Sequence, residues 1–155
     1  MRLCDHLDPA LTFVGLEPAD KSSLLREIVD RTTRHLTGID PAGLLRRIED
    51  RERKSSTGVG SGIAIPHCVV TGLDETVCVL VQIPIGVEYD AVDGAPVYFV
   101  FMLLSPTDAM GIHLRMLARV SRVANREGFT QDVIALQTAK EVYDMVISED
   151  ESHVD

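Results

Sequence analysis

The chain has 155 residues, 45% hydrophobic and 25% charged, proportions that suit one globular domain with a real apolar core. Fifteen Lys and Arg against 24 Asp and Glu give a net charge of −9, a field that excludes non-specific binding to nucleic acid or to an anionic membrane. Cys4, Cys68 and Cys78 are odd in number and form no Cys-x-x-Cys pair, so reduced thiols are expected rather than a disulfide framework.

Met1-Arg2-Leu3-Cys4-Asp5-His6 lacks the apolar run of a signal peptide. No window approaches the roughly 20 apolar residues of a membrane-spanning helix, so a soluble, cytoplasmic protein is expected. Residues 11–16 read as an opening strand. Pro18 and Asp20 start a helix that repeats Leu24, Leu25, Ile28, Val29 and Leu36 at helical spacing, with Gly38 as its stop. Asp40-Pro41 starts a second helix through Leu44, Leu45 and Ile48 to about Glu52, which places Arg51 near its C-terminus.

Thr76 to Ile83 is β-branched and nearly continuous, the pattern of a strand covered on both faces. Asp93-Gly94 signals a tight turn, and Val97 to Leu104 is a second buried strand stopped by Ser105-Pro106. A helix is expected from Ala109 to Asn125 with Ile112, Met116, Val120 and Val123 inward, then a short one over 130–137. Thr138-Ala139-Lys140-Glu141 is a capping box that opens the last helix through Val142, Met145 and Val146. The acidic end lacks apolar periodicity. A single domain over 1–148 and a frayed tail over 149–155 follow. Helices alternating with buried strands indicate an α/β fold.

Between the second helix and the first buried strand lies Ser56-Thr57-Gly58-Val59-Gly60-Ser61-Gly62-Ile63-Ala64-Ile65-Pro66-His67. Its alternating glycines permit tight turns and close backbone approach. Ile63-Ala64-Ile65 reads as a strand that Pro66 must end, leaving His67 at its rigid end. No Lys-Ser or Lys-Thr pair follows the glycines, so no Walker-type nucleotide loop is present. On these residues alone the glycines read as a Gly-rich turn leading into a core strand, with His67 a satisfied surface histidine. Arg51 likewise reads as part of the solvated face formed by Arg46, Arg47, Glu49, Asp50, Glu52, Arg53 and Lys54.

Arg51-Glu52, Ser56-Thr57-Gly58, Gly62 to His67, and a second histidine in Gly111-Ile112-His113-Leu114 together resemble the IIA components of the bacterial sugar phosphotransferase system (PTS). The resemblance is to the fructose–mannitol class, above all its stand-alone nitrogen-regulatory members, and spans nearly the whole chain. It implies a three-layer α/β/α domain around a mixed sheet of about five strands. It also implies a phosphotransferase component that accepts phosphate on His67 Nε2 from an HPr-type phosphocarrier protein. The phosphate would pass to a IIB domain or act as a regulatory state read by a target protein. No cofactor is implied.

The chemistry suits the residues. A neutral imidazole is both a good phosphoryl acceptor and a good leaving group near neutral pH. Transfer then needs alignment and charge stabilisation on the equatorial oxygens. By the resemblance, Arg51 would neutralise those oxygens with its permanently charged fork. His113 would bond a phosphoryl oxygen or the His67 ring, and Ser56, Thr57 and Gly58 would support the phosphate. Cys68 stands where the family usually has glycine, and Ser55 where many members have it. A metal site of His67, His113 and Cys68 is the weakest alternative, since adjacent ligands lack the spacing of a zinc pair.

Overall fold

The computed structural model describes residues 1–153. A mixed sheet carries strands β1 (Leu7–Phe13), β2 (Gly58–Gly60), β3 (Ile63–Ala64), β4 (His67–Val69), β5 (Val77–Val87) and β6 (Val97–Ser105). Helices α1 (Lys21–Thr33), α2 (Pro41–Lys54), α3 (Met110–Ala124), α4 (Phe129–Ile134) and α5 (Ala139–Glu151) flank it. The strand order is β1-β5-β6-β3-β2, and β4 also pairs with β6.

Period-2 alternation divides β5 and β6 between two cores. Val79, Val81, Val100 and Met102 pack under α1 and α2 with Leu24, Ile28, Leu44 and Ile48. Cys78, Leu80, Phe99 and Phe101 pack under α3, α4 and α5 with Met116, Val120, Phe129, Val133 and Val146. The expected three-layer α/β/α architecture is thus present, with five strand positions of which one is broken in two. β3 and β4 both run parallel to β6 in one register: Ile63 faces Phe99, Ala64 faces Val100, and His67 faces Leu103. The break falls at Ile65-Pro66. Pro66 has no N–H to give, yet its carbonyl still accepts from Leu103 N at 2.9 Å. His67 therefore opens a resumed strand where a loop was expected.

The helix starts fall where the sequence signals them. Asp20 accepts from Ser23 N, Asp40 accepts from Gly43 N behind Pro41, and Thr138 and Glu141 form the reciprocal box. Ends are less faithful. The first strand begins at Leu7, and α1 stops at Thr33, whose hydroxyl turns back onto Val29 O at 2.9 Å, five residues short of Gly38. α4 spans Phe129–Ile134 rather than 130–137.

The acidic end is a correction. α5 continues to Glu151, because Asp150 is buried and accepts from Leu3 N at 2.8 Å and Arg119 Nε at 2.9 Å, and Glu149 pairs with Arg126. Charge that lacks apolar periodicity is here bound across the fold. Val154 and Asp155 of the expected tail lie outside the described residues.

Gln82 is the polar exception in β5. Its buried amide donates to Val133 O at 2.9 Å and Leu136 O at 2.8 Å, while Oε1 accepts from Gly15 N at 3.0 Å. One side chain so ties the end of α4 to the turn after β1. Gln82→Leu should cost at least about 2 kcal/mol, since each buried group left unpaired costs about 1–3 kcal/mol. The check is a lower urea midpoint at unchanged slope.

Candidate active site

His67 is oriented by the break that presents it. Its Nδ1 lies 2.8 Å from the Ile65 carbonyl. A carbonyl only accepts, so Nδ1 carries the proton, and the neutral ring keeps its lone pair on Nε2. Ile65 itself turns away from β6, its N–H donating to Thr57 O at 2.9 Å. The nitrogen left with the free lone pair is thereby set by backbone geometry alone.

His113 lies in the first turn of α3, its N–H bonded to Ala109 O at 3.0 Å. It is buried, 5% exposed, whereas Ile112, expected to face the core, is 37% exposed. The inward stripe is His113, Met116, Val120 and Val123. A histidine takes the core-facing position because a partner awaits it there: Nδ1 is 2.7 Å from Ser105 Oγ at the end of β6. Ser105 Oγ in turn lies 3.2 Å from Thr76 Oγ1. The two imidazoles sit together, ring centroids 5.6 Å apart at 54°. Burial, and then the charge of His67, push the His113 value below the ordinary 6.5.

Arg51 stands in the last turn of α2, and its Nη1 donates to Ser55 O at 3.0 Å and Ser55 Oγ at 3.4 Å. Among the described residues it pairs with no carboxylate, so its charge is not cancelled locally. One turn earlier, Arg47 Nη1 reaches Val69 O at 3.4 Å, which brings its guanidinium to β4, the strand that carries His67. The i, i+4 spacing of the two arginines places them on one helix face, a signal the sequence offers. Beside His67, burial pushes the Cys68 thiol up to about 11, so it sits there as a protonated, weakly polar group.

Ser56, Thr57 and Gly58 are placed differently from the expectation of phosphate ligands. Thr57 is buried, with its hydroxyl donating to the Glu52 carboxylate and its N–H reaching Glu52 Oε1 at 3.1 Å. Glu52 pairs with Lys21 at 2.9 Å, and the Tyr89 hydroxyl lies 3.1 Å from Thr57 Oγ1. Burial and Glu52 push Tyr89 up, which keeps it a neutral donor. Ser56 Oγ accepts from Gly58 N at 3.1 Å and bonds Tyr89 O at 3.3 Å. A Cβ at Gly58 would come 2.8 Å from the Ala91 backbone, so that glycine serves close packing. The three residues hold the loop, and their polar groups face protein.

The structure brings the expected His67 and His113 together and leaves Arg51 in the last turn of α2, bonded to Ser55. The sequence signals miss the contacts of Ser105, Thr76, Arg47 and the Glu52–Lys21–Tyr89 support, because hydroxyls and single charges acquire meaning only from what the topology brings beside them. Among the described residues no group of three His, Cys, Asp or Glu could hold a metal ion, and no helix is long and apolar enough to cross a membrane.

Two close imidazoles thus stand together on an α/β/α sheet of this order. The chain belongs to the phosphoenolpyruvate-dependent sugar phosphotransferase system EIIA 2 family, whose model matches residues 5–149. It is similar to a nitrogen regulatory protein of Pseudomonas aeruginosa, 31% identical over 147 residues that cover 95% of this chain and 96% of the relative. Among solved structures it resembles the nitrogen regulatory protein IIA-Ntr of Neisseria meningitidis, with a TM-score of 0.85 and 27% identity across 92% of this chain and 97% of that one. A fructose-specific EIIABC component of Bacillus subtilis is 28% identical over 92 residues, 59% of this chain and 14% of that protein.

The lowered His113 value has a sign that can be checked. As pH falls below 6.5, the unfolded chain takes up the His113 proton before the folded one does. His113 thus costs no stability above 6.5 and an increasing amount below it, down to its folded midpoint. An NMR titration should place that midpoint below 6.5, with burial keeping it there even in His67→Ala.

Proposed function

We propose that the chain is a phosphocarrier that accepts a phosphoryl group on His67 Nε2 from an HPr-type phosphoprotein. The observation that carries the reading is the Nδ1–H bond from His67 to Ile65 O, which leaves Nε2 as the nucleophile beside a second imidazole. A P–Nε2 bond forms as the P–N bond to the donor's imidazole breaks, and the electron pair of the broken bond stays on that imidazole. The proton stays on Nδ1, donated to Ile65 O throughout, so the product ring stays oriented for onward transfer.

His113 donates to a phosphoryl oxygen as charge gathers on the equatorial positions, and the α3 N-terminus, which has no side-chain cap, favours the same charge. Arg51 supplies the cation. At an effective dielectric near 20, a unit charge pair at about 4 Å is worth about 4 kcal/mol before desolvation, ample for one guanidinium to matter. Ser56, Thr57 and Gly58 contribute by fixing the loop. Exposed Met110, Ile112 and Leu114 around His113 give a protein donor an apolar surface to meet.

The similarity to nitrogen regulatory proteins across almost the whole chain favours a regulatory carrier acting in the cytoplasm, with the phosphorylated state read by a target protein. A second reading, a sugar-transport IIA that donates to a fructose- or mannitol-type IIB domain, rests on the partial similarity to the fructose-specific component. A purely non-catalytic binding module is the third, and the same experiment decides it.

That experiment is intact-protein mass spectrometry at alkaline pH after incubation with phosphoenolpyruvate, enzyme I and an HPr-type carrier. The wild type should gain one acid-labile phosphoryl group and His67→Ala none. Arg51→Ala and His113→Ala should acquire it at least about tenfold more slowly with unchanged circular dichroism, the factor that about 1.4 kcal/mol of lost transition-state stabilisation represents. Wild-type rates in both would remove their assigned roles. No gain by the wild type from any HPr-type donor would leave the binding-module reading.

A further inference from the structure

We propose that Ser105 and Thr76 form a buried hydroxyl relay that fixes His113 as the Nε2–H tautomer, making it a committed donor toward the phosphoryl group on His67. The proposal deepens the carrier reading above and rests on it for its catalytic consequence. The tautomer itself follows from proton counting among three side chains.

Ser105 Oγ sits between Thr76 Oγ1 at 3.2 Å and His113 Nδ1 at 2.7 Å. The three residues are buried, with Ser105 0%, Thr76 1% and His113 5% exposed. Each hydroxyl has one proton to give, and a buried proton without an acceptor is costly. When Thr76 donates to Ser105, the Ser105 proton is free to satisfy Nδ1, and every hydroxyl proton is used. In the reverse direction Nδ1–H donates to Ser105, Ser105 donates to Thr76, and the Thr76 proton has no further acceptor among the described residues. The first arrangement wins, and a neutral His113 must then carry its proton on Nε2.

Thr76 is itself held in place. Its carbonyl accepts from His6 Nδ1 at 2.9 Å, which ties the start of β5 to the amino-terminal segment. Ser105 is fixed as well: it ends β6, its carbonyl accepts from Val70 N at 2.8 Å, and it pairs with Val69 two residues after His67. Ser105 and the acceptor histidine therefore share the β4–β6 strand pair. The two imidazoles end up with opposite tautomers, set by different partners. A carbonyl holds His67 with its lone pair on Nε2, and a hydroxyl holds His113 with its proton on Nε2. Lone pair and donor proton are the two things a phosphoryl acceptor site requires on facing rings. Protonation of His113 would place a second N–H on Nδ1 against the Ser105 proton, in keeping with its lowered value.

Ser105 and Thr76 are positioning residues, since neither is placed to touch the phosphoryl group. Long-range 1H–15N NMR of the unphosphorylated wild type should show His113 protonated at Nε2 and bare at Nδ1. Protonation at Nδ1 overturns the proposal, and this arm needs no phosphoryl donor. In the transfer assay, Ser105→Ala and Thr76→Val should lower kcat by about tenfold with KM for the phosphorylated HPr-type carrier unchanged, equivalent to about 1.4 kcal/mol. Ser105→Thr, which keeps the hydroxyl, should restore the rate, and Ser105→Ala should scramble the His113 tautomer. Unchanged kcat in folded Ser105→Ala and Thr76→Val overturns the relay, as does a loss expressed in KM alone. A wild type that accepts no phosphate overturns the carrier reading, and the tautomer measurement alone then decides this one.

Discussion

The Nδ1–H bond from His67 to the Ile65 carbonyl exists because the strand that carries both residues is interrupted and resumed without losing register. Had β3 run unbroken into β4, Ile65 and His67 would have been ordinary strand residues with side chains standing off the sheet. Pro66 withholds one ladder donor, Ile65 turns its N–H to Thr57, and its carbonyl is left for the imidazole two residues on. The unchanged register on β6 means that the interruption does not displace His67 from Leu103. A rigid sheet thus supplies an orientation that a loop would hold only at an entropic cost.

Support for that short segment comes from beneath as well as from alongside. Glu52, at the end of α2, accepts from both the backbone and the hydroxyl of Thr57 and is balanced by Lys21, whose ammonium also lies 4.3 Å from the Tyr89 ring centroid. Removing Glu52 would leave the Thr57 amide and the Lys21 charge without partners inside the fold, the expensive direction for a buried pair. Because Arg51 is the neighbouring residue, the anchoring of Glu52 also fixes the helix end from which the Arg51 guanidinium reaches Ser55.

Local chemistry was legible in the sequence where one residue type dictates one geometry. Asp20, Asp40-Pro41 and Thr138 announced three helix starts, and the β-branched runs announced β5 and β6. Whatever depended on a distant partner was not legible. Gln82 looks like an impurity in a strand until α4 is laid over it. Asp150 looks like tail until Arg119 and Leu3 meet it. Ile112 and His113 exchange roles against the helical pattern because a Ser105 hydroxyl lies where α3 turns inward. The Ser56-Thr57-Gly58 triplet reads equally as phosphate cradle or loop anchor, and only the position of Glu52 separates the two. The mixed sheet of about five strands came with the family resemblance, but its strand order was not legible, since periodicity carries no information about which strands are neighbours.

A carrier and a switch ask different things of the same histidine, and this site suits both. A phosphoryl group adds roughly −1.5 to −2 charges at the point where it binds. On the proposed reading that point adjoins an exposed apolar rim of Met110, Ile112 and Leu114 on a chain whose net charge is already −9. A partner that docks on the rim would feel the added charge directly, and bulk water would screen it least where the rim is covered. If onward transfer is fast, the charge is brief and the protein is a conduit. If the acceptor is absent or slow, the charged state persists and becomes a signal. On the proposed reading, the choice between transport and regulation therefore lies in the partner's kinetics as much as in any residue of this chain.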